Sequence, residues 1–460
     1  MSSAPTIMEI HKHNFFSDAR DVIRQRILKN AVLLEKLKPI RQRLSPAHIG
    51  LLCAGKQLKS ALLDSSTANM VKLIKTESAK GRYLVAACSI PSGSIILREM
   101  PYVSKLLLTY RGQFCDNCLR EVDEKVQVRC NGCSVIYCSP NCEVEARAVG
   151  HGFLCGIDQS LFELVGDNGV SCIKTYLICT QPKEPAPTNL KNDISDFIEG
   201  IPDLVDNLHL RTPESIQSYL TTAIFLTTIF NLPSSIEPTL VKIQAQLACN
   251  IFGIKRLINV SDASVNKRDD VAVGAGVYLA ASMMNHSCSP NAMAAWGVRR
   301  SAKEKKGDGG GIDMREMVVV MSREVRKGEP ICISYGPQLG KVPVEERKRE
   351  LAEKYFFDCE CEVCRNINSN VSDQCYKCPA ACRLVKLSAI DKVCPACKTL
   401  VDTVKRAETE AQANQLFQSE STHSVLKCLK MRQQIYSADA YILGATYDRL
   451  AELYQSKGLS

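Results

Sequence analysis

The chain has 460 residues, of which 45% are apolar, and it carries a net charge of +9 at pH 7. This length and apolar content suffice for roughly two or three globular units with their own cores, which excludes a disordered protein. No run of about eighteen apolar residues and no secretory signal is visible, so we expect a soluble protein that does not cross a membrane. The modest positive charge permits acidic partners but does not require them.

Cysteine is the most informative residue type, because the chain has 23 cysteines and many of them occur in closely spaced pairs. Small secreted proteins use cysteines for a disulfide framework, whereas paired spacings in a chain of this kind are typical of metal sites. We therefore expect bound metal in a reducing compartment, with the protein in the cytoplasm and the nucleus.

The first 114 residues predict a helical segment followed by the start of a sheet. Phe15–Leu44 carries apolar positions at helical spacing that are interrupted at Pro39, and we assign 1–70 to a helical N-terminal segment. From residue 71 the pattern changes to short strands, including Arg82–Ala87 and Ser94–Glu99, which we assign to a sheet domain beginning at 71–114.

The middle of the chain predicts two insertions and the return of the sheet. A cysteine-rich module occupies 115–155, and helical spacing then predicts an inserted helical block at 156–270. Strand patterns return at 271–340, and the predicted strands are Met293–Val298, Met317–Met321 and Ile331–Tyr335.

The C-terminal third predicts helices separated by a second cysteine-rich region. A charged helix, Val344–Tyr355, begins the segment 341–366, and more cysteines follow at 367–402. Helical spacing resumes at 403–460, where one helix weakly matches the spacing of a tetratricopeptide repeat.

The segment Arg299–Gly311 is rich in Arg, Lys, Gly and Asp, and its basic residues raise the question of nucleic-acid binding. Runs of charge are more often solvated surface, and no aromatic residues interleave with these basic ones. We predict a solvent-exposed hairpin loop, with nucleic-acid binding weak or absent.

The module at 115–155 contains seven cysteines and one histidine in four short-spaced pairs. The pairs are Cys115 and Cys118, Cys130 and Cys133, Cys138 and Cys142, and His151 and Cys155. Thiolate and imidazole are the ligands that zinc prefers, and a closed structural site takes four. We predict two interleaved sites, the first made of Cys115, Cys118, Cys138 and Cys142 and the second of Cys130, Cys133, His151 and Cys155. Both sites are structural, because no position is left for water.

Two further sites are predicted after residue 341. Cys359, Cys361 and Cys364 supply three ligands, and Cys288, distant in sequence, is the best candidate for the fourth. A separate set has the spacing of a small zinc ribbon, and its members are Cys375, Cys378, Cys394 and Cys397.

Two ordered motifs resemble the signature of a SET domain: the segment Asn285–Asn291, and Gly328-Glu329 followed by Ile333–Gly336. The module at 115–155 resembles a MYND finger, and Cys359–Cys364 is similar to a post-SET zinc site. The chain thus resembles the SET and MYND domain-containing family of lysine methyltransferases. This resemblance implies an α+β protein with a SET-type fold of small sheets, an inserted MYND zinc finger, a helical insert, a post-SET zinc site and C-terminal helices.

The resemblance also implies a function, the transfer of a methyl group from S-adenosylmethionine to a lysine of a histone or non-histone protein. Tyr335 would be the catalytic residue and Tyr355 would wall the lysine channel, with Phe356 a weaker candidate for that wall. The implied cofactor contacts are Lys80, Gly81, Arg82, Asn285, His286, Tyr335 and Phe357. The implied partners are a protein substrate and, at the finger, proline-containing peptides, and we expect a monomer.

One departure from the family pattern leaves an alternative open. Family members commonly carry a Gly-x-Gly turn near the first strand, whereas this chain keeps Gly81 and has Tyr83 in place of the second glycine. Glycine is used where a side chain would obstruct or where φ is positive. The alternative is a catalytically weak adaptor in transcriptional regulation, whose finger and C-terminal helices recruit partner proteins. Taken singly, Tyr335 and His286 could also be ordinary core residues.

Overall fold

The computed structural model describes residues 25, 70–76, 81–156, 159–179, 204–262, 265–297, 313–339, 342–365, 375–378, 384–386, 390–437 and 440–456. The helical segment predicted at 1–70 and the loop predicted at Arg299–Gly311 lie outside these residues, apart from residues 25 and 70. The chain divides into two compact units. The first contains residues up to Lys255 together with Ala272–Asn285 and Asn291–Ile331, and the second contains Arg256–Val271, His286–Pro290 and everything from Cys332.

The described strands are short, with one pair of longer ones in the middle of the chain. They are β1 (Val71–Lys75), β2 (Arg82–Ala86), β3 (Ile95–Glu99), β4 (Val103–Leu106), β5 (Val128–Arg129), β6 (Ile136–Tyr137), β7 (Ile251–Asp262), β8 (Val265–Val277), β9 (Asn285–His286), β10 (Ala292–Trp296), β11 (Met317–Met321), β12 (Cys332–Ile333), β13 (Val385–Lys386), β14 (Asp391–Val393) and β15 (Leu400–Asp402).

The described helices follow the finger segment and dominate the C-terminal third. They are α1 (Pro140–Ala146), α2 (Gln159–Cys179), α3 (Pro213–Ile229), α4 (Glu237–Asn250), α5 (Val344–Tyr355), α6 (Glu362–Arg365), α7 (Thr403–Phe417), α8 (Thr422–Arg432) and α9 (Tyr441–Ser456). Short helical turns occur at Arg147–His151 and Gly152–Leu154. None of the helices in the described residues is both long and apolar enough to span a bilayer.

The core of the first unit is built on small antiparallel sheets, as the short strand patterns predict. β11 pairs with β10 on one side and with β3 on the other, and β1 pairs with β2. The valines of β11 are largely buried because the strand lies between two neighbours. β4 pairs with the last residues of β8, which joins the first strands to the segment that leads into Asn285.

One part of the predicted helical block is wrong. α2, α3 and α4 confirm its helical character as far as Asn250, but Ile251–Asp262 and Val265–Val277 form strands rather than helix. The reason lies in composition, because this stretch is rich in Ile and Val, whose branched side chains suit a pleated strand, and it carries glycines that weaken a helix. The end of this stretch also finds a strand partner in β4, and that tertiary pairing overrides local propensity.

The second unit contains the predicted charged helix and the C-terminal helices. α5 coincides with the predicted range Val344–Tyr355. α8 and α9 share an apolar core made by Val425, Leu429, Leu443 and Leu450, which confirms the helical reading of this region. The segment between α6 and α7 contains the three-stranded sheet β13-β14-β15, next to the predicted ribbon cysteines.

A buried carboxylate fixes the turn that precedes the first signature motif. Glu99, at the end of β3, is 1% exposed, and its two oxygens accept hydrogen bonds from the backbone N–H groups of Ala280 and Ala281, each at 2.9 Å. Burial raises the pKa of Glu99 to about 7, although these N–H groups act in the opposite direction. Glu99 therefore ties β3 to the 3-10 turn Ala281–Met283, two residues before Asn285.

Glu99→Gln should flatten the pH dependence of stability. Because the folded-state pKa of Glu99 lies above its usual value, its carboxylate form destabilises the fold, and this effect grows as pH rises through the folded pKa. We expect the wild type to lose about 1 kcal/mol of stability between about pH 6 and pH 8 through this group. Thermal midpoints measured across that range should fall less in Glu99→Gln than in the wild type. The matched control is Glu324→Gln at an exposed position, and an equal slope in all three proteins would contradict the prediction.

Candidate functional site

The eight predicted ligands of the finger segment converge in the two sets of four that the spacing predicts. Cys115, Cys118, Cys138 and Cys142 form one group, Cys130, Cys133, His151 and Cys155 form the other, and within each group all ligand atoms lie within 4.8 Å of one another. The Sγ atoms of Cys118 and Cys138 are 3.5 Å apart, and those of Cys138 and Cys142 are 3.6 Å apart. A tetrahedral zinc with Zn–S distances of about 2.3 Å places its sulfurs about 3.8 Å apart, so both groups fit this ion.

Local structure explains why Cys138 and Cys142 face the same centre. Ser139 is the N-cap of α1, its side chain accepts the N–H of Cys142, and Pro140 occupies the first helical position. The helix therefore begins directly after Cys138 and places Cys142 one turn further on. β5 and β6 bring the other pairs close, since Val128 pairs with Tyr137 and Arg129 with Ile136.

An arginine lies against the second finger group. Arg147 Nη2 is 3.2 Å from Cys130 Sγ, and His151 Nε2 is 3.3 Å from the same sulfur. Burial raises the pKa of the Cys130 thiol, but the N–H of Gly132, the neighbouring thiols and the Arg147 guanidinium together hold it below its usual range. A thiolate is the form that binds metal, so this environment favours a metal site over a free thiol.

Cys288 completes the third group, as predicted. Its Sγ lies 3.5 Å from that of Cys364 and 3.9 Å from that of Cys359, and Cys361 belongs to the same group. The four sulfurs fit a tetrahedral zinc by the same criterion. This group joins the signature motif to the segment that follows α5.

A second arginine contacts this group, and sequence reasoning missed it. Arg347, in the first turn of α5, is 2% exposed; its Nη2 lies 3.7 Å from Cys364 Sγ, and its Nη1 donates to the carbonyl of Val342 at 2.6 Å. The sequence offers no signal for this role, because Arg347 stands among charged residues that read as a solvated helix face.

Four aromatic rings pack beside the third group. Tyr335 is central: its ring centroid is 4.9 Å from that of Tyr355, 5.4 Å from that of His286 and 6.4 Å from that of Phe357. All four belong to the second unit, and the three phenyl rings are partly buried. The structure therefore brings together the predicted catalytic residue, the predicted channel residue and two predicted cofactor contacts.

The side chain of His286 is engaged at both ring nitrogens. Its Nδ1 accepts the backbone N–H of Tyr335 at 3.0 Å, and its Nε2 lies 3.3 Å from Cys288 Sγ. Burial lowers the pKa of His286 to about 4, so the ring is neutral near pH 7.

The turn after α5 has a left-handed residue that sequence reasoning did not foresee. Phe356 is the C-cap of α5 and has φ +64°, which is unfavourable for a bulky side chain. This conformation ends the helix at Tyr355, whose hydroxyl donates to the carbonyl of Tyr335 at 3.0 Å. The turn thus places Tyr355 and Phe357 against Tyr335.

The predicted ribbon cysteines converge only in part. Cys375, Cys394 and Cys397 form a group, whereas Cys378 lies outside that group but in the same buried cluster. Lys398, with φ +58°, allows the tight turn in which its N–H bonds to the carbonyl of Cys394. The described cysteines, those of all four groups included, form no disulfide.

The remaining predicted cofactor contacts belong to the first unit. Gly81 has φ +57° at the turn between β1 and β2, where its carbonyl accepts the N–H of Thr76 at 2.9 Å. Arg82 follows Gly81, and Tyr83 pairs with Ile74 in the β1–β2 ladder. Asn285 lies two residues after the 3-10 turn that Glu99 holds. Lys80 lies outside the described residues.

Comparison with known proteins gives one family match and several distant relatives. The SET domain family model matches residues 81–336, which is more than half of the chain. Histone-lysine N-methyltransferase ASHR2 of Arabidopsis thaliana is 25% identical over 293 residues, which cover 62% of this chain and 70% of that protein. Histone-lysine N-methyltransferase SMYD3 of Mus musculus is 24% identical over 302 residues, which cover 63% of this chain and 60% of that protein.

A third relative and one solved structure complete the comparison. Protein-lysine N-methyltransferase SMYD4 of Danio rerio is 22% identical over 369 residues, covering 63% of this chain and 48% of that protein, so this chain spans from about half to 70% of the three relatives. The crystal structure of the SET domain of LSMT bound to lysine and AdoHcy aligns over 92% of this chain and 91% of that chain, at 13% identity and a TM-score of 0.26. That TM-score is too low to support a structural comparison.

Since the SET domain model covers more than half of the chain and the finger cysteines lie within the matched range, the chain belongs to the SET domain family, in its SET and MYND domain-containing branch.

Proposed function

We propose that this chain is a protein-lysine N-methyltransferase that uses S-adenosylmethionine. The observation that carries the proposal is the cluster of His286, Tyr335, Tyr355 and Phe357, which is anchored beside a four-cysteine group. The names of the relatives, which are lysine methyltransferases, support the same activity.

The chemistry of the cluster fits a sulfonium cofactor. Aromatic faces attract a cation, and the neutral ring of His286 adds no positive charge to the cluster. Tyr355 already attracts one cation, because Lys354 Nζ lies 5.4 Å from its ring centroid. We propose that His286 and Phe357 hold the cofactor, as the family resemblance implies. S-adenosylmethionine supplies an electrophilic methyl group when bound.

The residues of the cluster would act by alignment and by excluding water. A free lysine amine has a pKa of about 10.4, and apolar walls next to a cation lower it, so the amine reaches its neutral form without a dedicated base. Tyr355 commits its hydroxyl to the carbonyl of Tyr335 and so presents its ring to the channel. We propose that the Tyr335 hydroxyl orients the amine for in-line attack.

Tyr335→Phe should lower methyl transfer while leaving the fold intact. Loss of one positioned hydroxyl at a reacting centre should lower kcat by about 100-fold or more. Transfer of labelled methyl groups to an array of lysine-containing peptides, followed by kinetics on the best peptide, measures this effect. The control is Tyr454→Phe, which removes a hydroxyl from an exposed position in α9. An unchanged kcat in Tyr335→Phe would remove Tyr335 from the mechanism.

The adaptor alternative predicts a different binding result. An enzyme should bind S-adenosylmethionine, and Phe357→Ala should weaken that binding because it removes an apolar ring from the cluster. Isothermal titration of the zinc-loaded chain with S-adenosylmethionine measures both quantities. No heat of binding in the wild type would favour an adaptor whose SET fold is catalytically weak.

We further propose zinc at the four cysteine groups, with Cys378 as the fourth ligand beside Cys375, Cys394 and Cys397. Structural zinc is worth on the order of 10 kcal/mol per site, so each site should contribute strongly to folding. Elemental analysis should give four zinc ions per chain, one for each group. Cys361→Ser should lose one of them and lower the thermal midpoint, whereas Cys88→Ser, at an exposed cysteine outside the groups, should lose none. Retention of all the zinc by Cys361→Ser would contradict the assignment.

The protein substrate, the partners and the location stay proposals drawn from the family. We propose a histone or non-histone protein with a target lysine as substrate, and proline-containing peptides as partners of the finger. We also propose that the protein is a monomer and that it is located in the cytoplasm and the nucleus.

A further inference from the structure

The backbone of Tyr335 is held by two side chains at the point where its strand ends. Up to Ile333 the chain has a strand partner, since the N–H of Ser287 donates to the carbonyl of Ile333 at 3.0 Å. Two residues later the N–H of Tyr335 donates to His286 Nδ1 at 3.0 Å, and the carbonyl of Tyr335 accepts the hydroxyl of Tyr355 at 3.0 Å. Both peptide groups that flank the Tyr335 side chain are therefore positioned by side chains rather than by a sheet.

The hydrogen bond at Nδ1 fixes where the proton of His286 lies. A nitrogen that accepts an N–H carries no proton, so the neutral ring bears its proton on Nε2. That Nε2 lies 3.3 Å from Cys288 Sγ, and it therefore donates to this sulfur. Cys288 is a member of the third cysteine group, together with Cys359, Cys361 and Cys364.

We propose that His286 is a positioning residue that couples the third metal group to Tyr335 through its ring. This inference rests on the proposed function and gives His286 a role in addition to its cofactor contact. One side of the ring orients a metal-ligating sulfur, in the way that hydrogen bonds outside the ligand sphere orient ligands and tune affinity. The other side fixes the peptide group from which the Tyr335 side chain extends. The metal group and the catalytic tyrosine are thus joined by one rigid, buried ring.

Two substitutions of His286 test its two hydrogen bonds separately. The Oδ1 of an asparagine stands at the same number of bonds from Cβ as the Nδ1 of histidine, and the Nε2 of a glutamine stands at the same number as the histidine Nε2. His286→Asn therefore keeps an acceptor for the N–H of Tyr335 and loses the donor to Cys288. His286→Gln keeps the donor to Cys288 and loses the acceptor.

The first readout is zinc retention. Because outer hydrogen bonds typically change metal affinity by about 10- to 100-fold, His286→Asn should release one zinc to a chelator at least about 10-fold more readily than the wild type. His286→Gln should retain it nearly as well as the wild type. Cys361→Ser, which removes a ligand of this group, identifies the zinc ion that is lost.

The second readout is the placement of Tyr335, measured without reference to activity. In protein labelled with 15N-tyrosine, the Tyr335 amide resonance is identified by its absence in Tyr335→Phe. That resonance should move strongly in His286→Gln and much less in His286→Asn. In methyl-transfer assays with the best peptide, kcat of His286→Gln should fall about 10-fold further than kcat of His286→Asn, with a smaller difference in KM.

The outcomes distinguish this inference from the proposed function. If both variants lose zinc and shift the Tyr335 amide together, or neither does either, the two ring nitrogens of His286 do not hold the cysteine group and Tyr335 as assigned, and the inference is overturned. If the wild type neither binds S-adenosylmethionine nor transfers methyl groups, the proposed function fails, while the zinc and amide readouts still decide the coupling. Should both histidine variants fail to fold, the wild type labelled with 15N-histidine tests the same hydrogen bonds, because the 15N shifts of His286 should show Nδ1 without a proton and Nε2 with one. A protonated Nδ1 in His286 then overturns the inference.

Discussion

The convergence of cysteine thiols on shared centres is the constraint on which the described structure depends. In the second unit, Cys288 comes from the signature motif and Cys359, Cys361 and Cys364 come from a segment about seventy residues later, yet their sulfurs lie within 4.8 Å of one another. Several thiolates at that spacing repel one another unless a cation lies between them, so the arrangement fits the zinc proposed for it. Together with the apolar cluster around these sulfurs and the hydrogen bond from Tyr355 to Tyr335, this group holds the turn after α5 against Tyr335.

This anchoring explains how short strands can support a site that needs accurate geometry. β9 and β12 have two residues each, and a ladder of that length restrains little beyond itself. The restraint comes instead from side chains: His286 and Tyr355 hold the peptide groups of Tyr335, and Cys288 holds the motif to which His286 belongs. The left-handed conformation of Phe356 fits this scheme, since a strained residue persists only where its surroundings over-determine the backbone.

The sequence predicted the features that depend on the spacing of residues along the chain, and it did not predict those that depend on tertiary contacts. The grouping of the eight finger ligands and the recruitment of Cys288 follow from ligand count and pair spacing, and α5 coincides with the charged helix that the sequence predicted. The strands β7 and β8 were missed because apolar residues in that stretch allow either period, and only the pairing with β4 decides between them. No local sequence pattern indicates the burial of Arg347 or the left-handed conformation of Phe356. In a charged helix, a buried arginine and an exposed one have the same sequence context. Cys378 had suitable spacing, but spacing fixes neither the side-chain direction nor the distance to the other three sulfurs.

Charge balance links the metal groups to the helices around them. A zinc ion with four thiolates carries a net charge of about −2, and burying that charge is unfavourable unless cations or N–H donors neutralise it. Arg347 meets this need at the third group from the first turn of α5, and it also holds the chain before the helix through the carbonyl of Val342. The same helix ends at Tyr355, whose hydroxyl holds Tyr335. α5 is therefore fixed to the third cysteine group near its start and to Tyr335 at its end, so its length of twelve residues sets the spacing between the two. An insertion within α5 would separate the two contacts even if every ligand and every aromatic residue were kept, which is why helix length belongs to the description of this site as much as its side chains do.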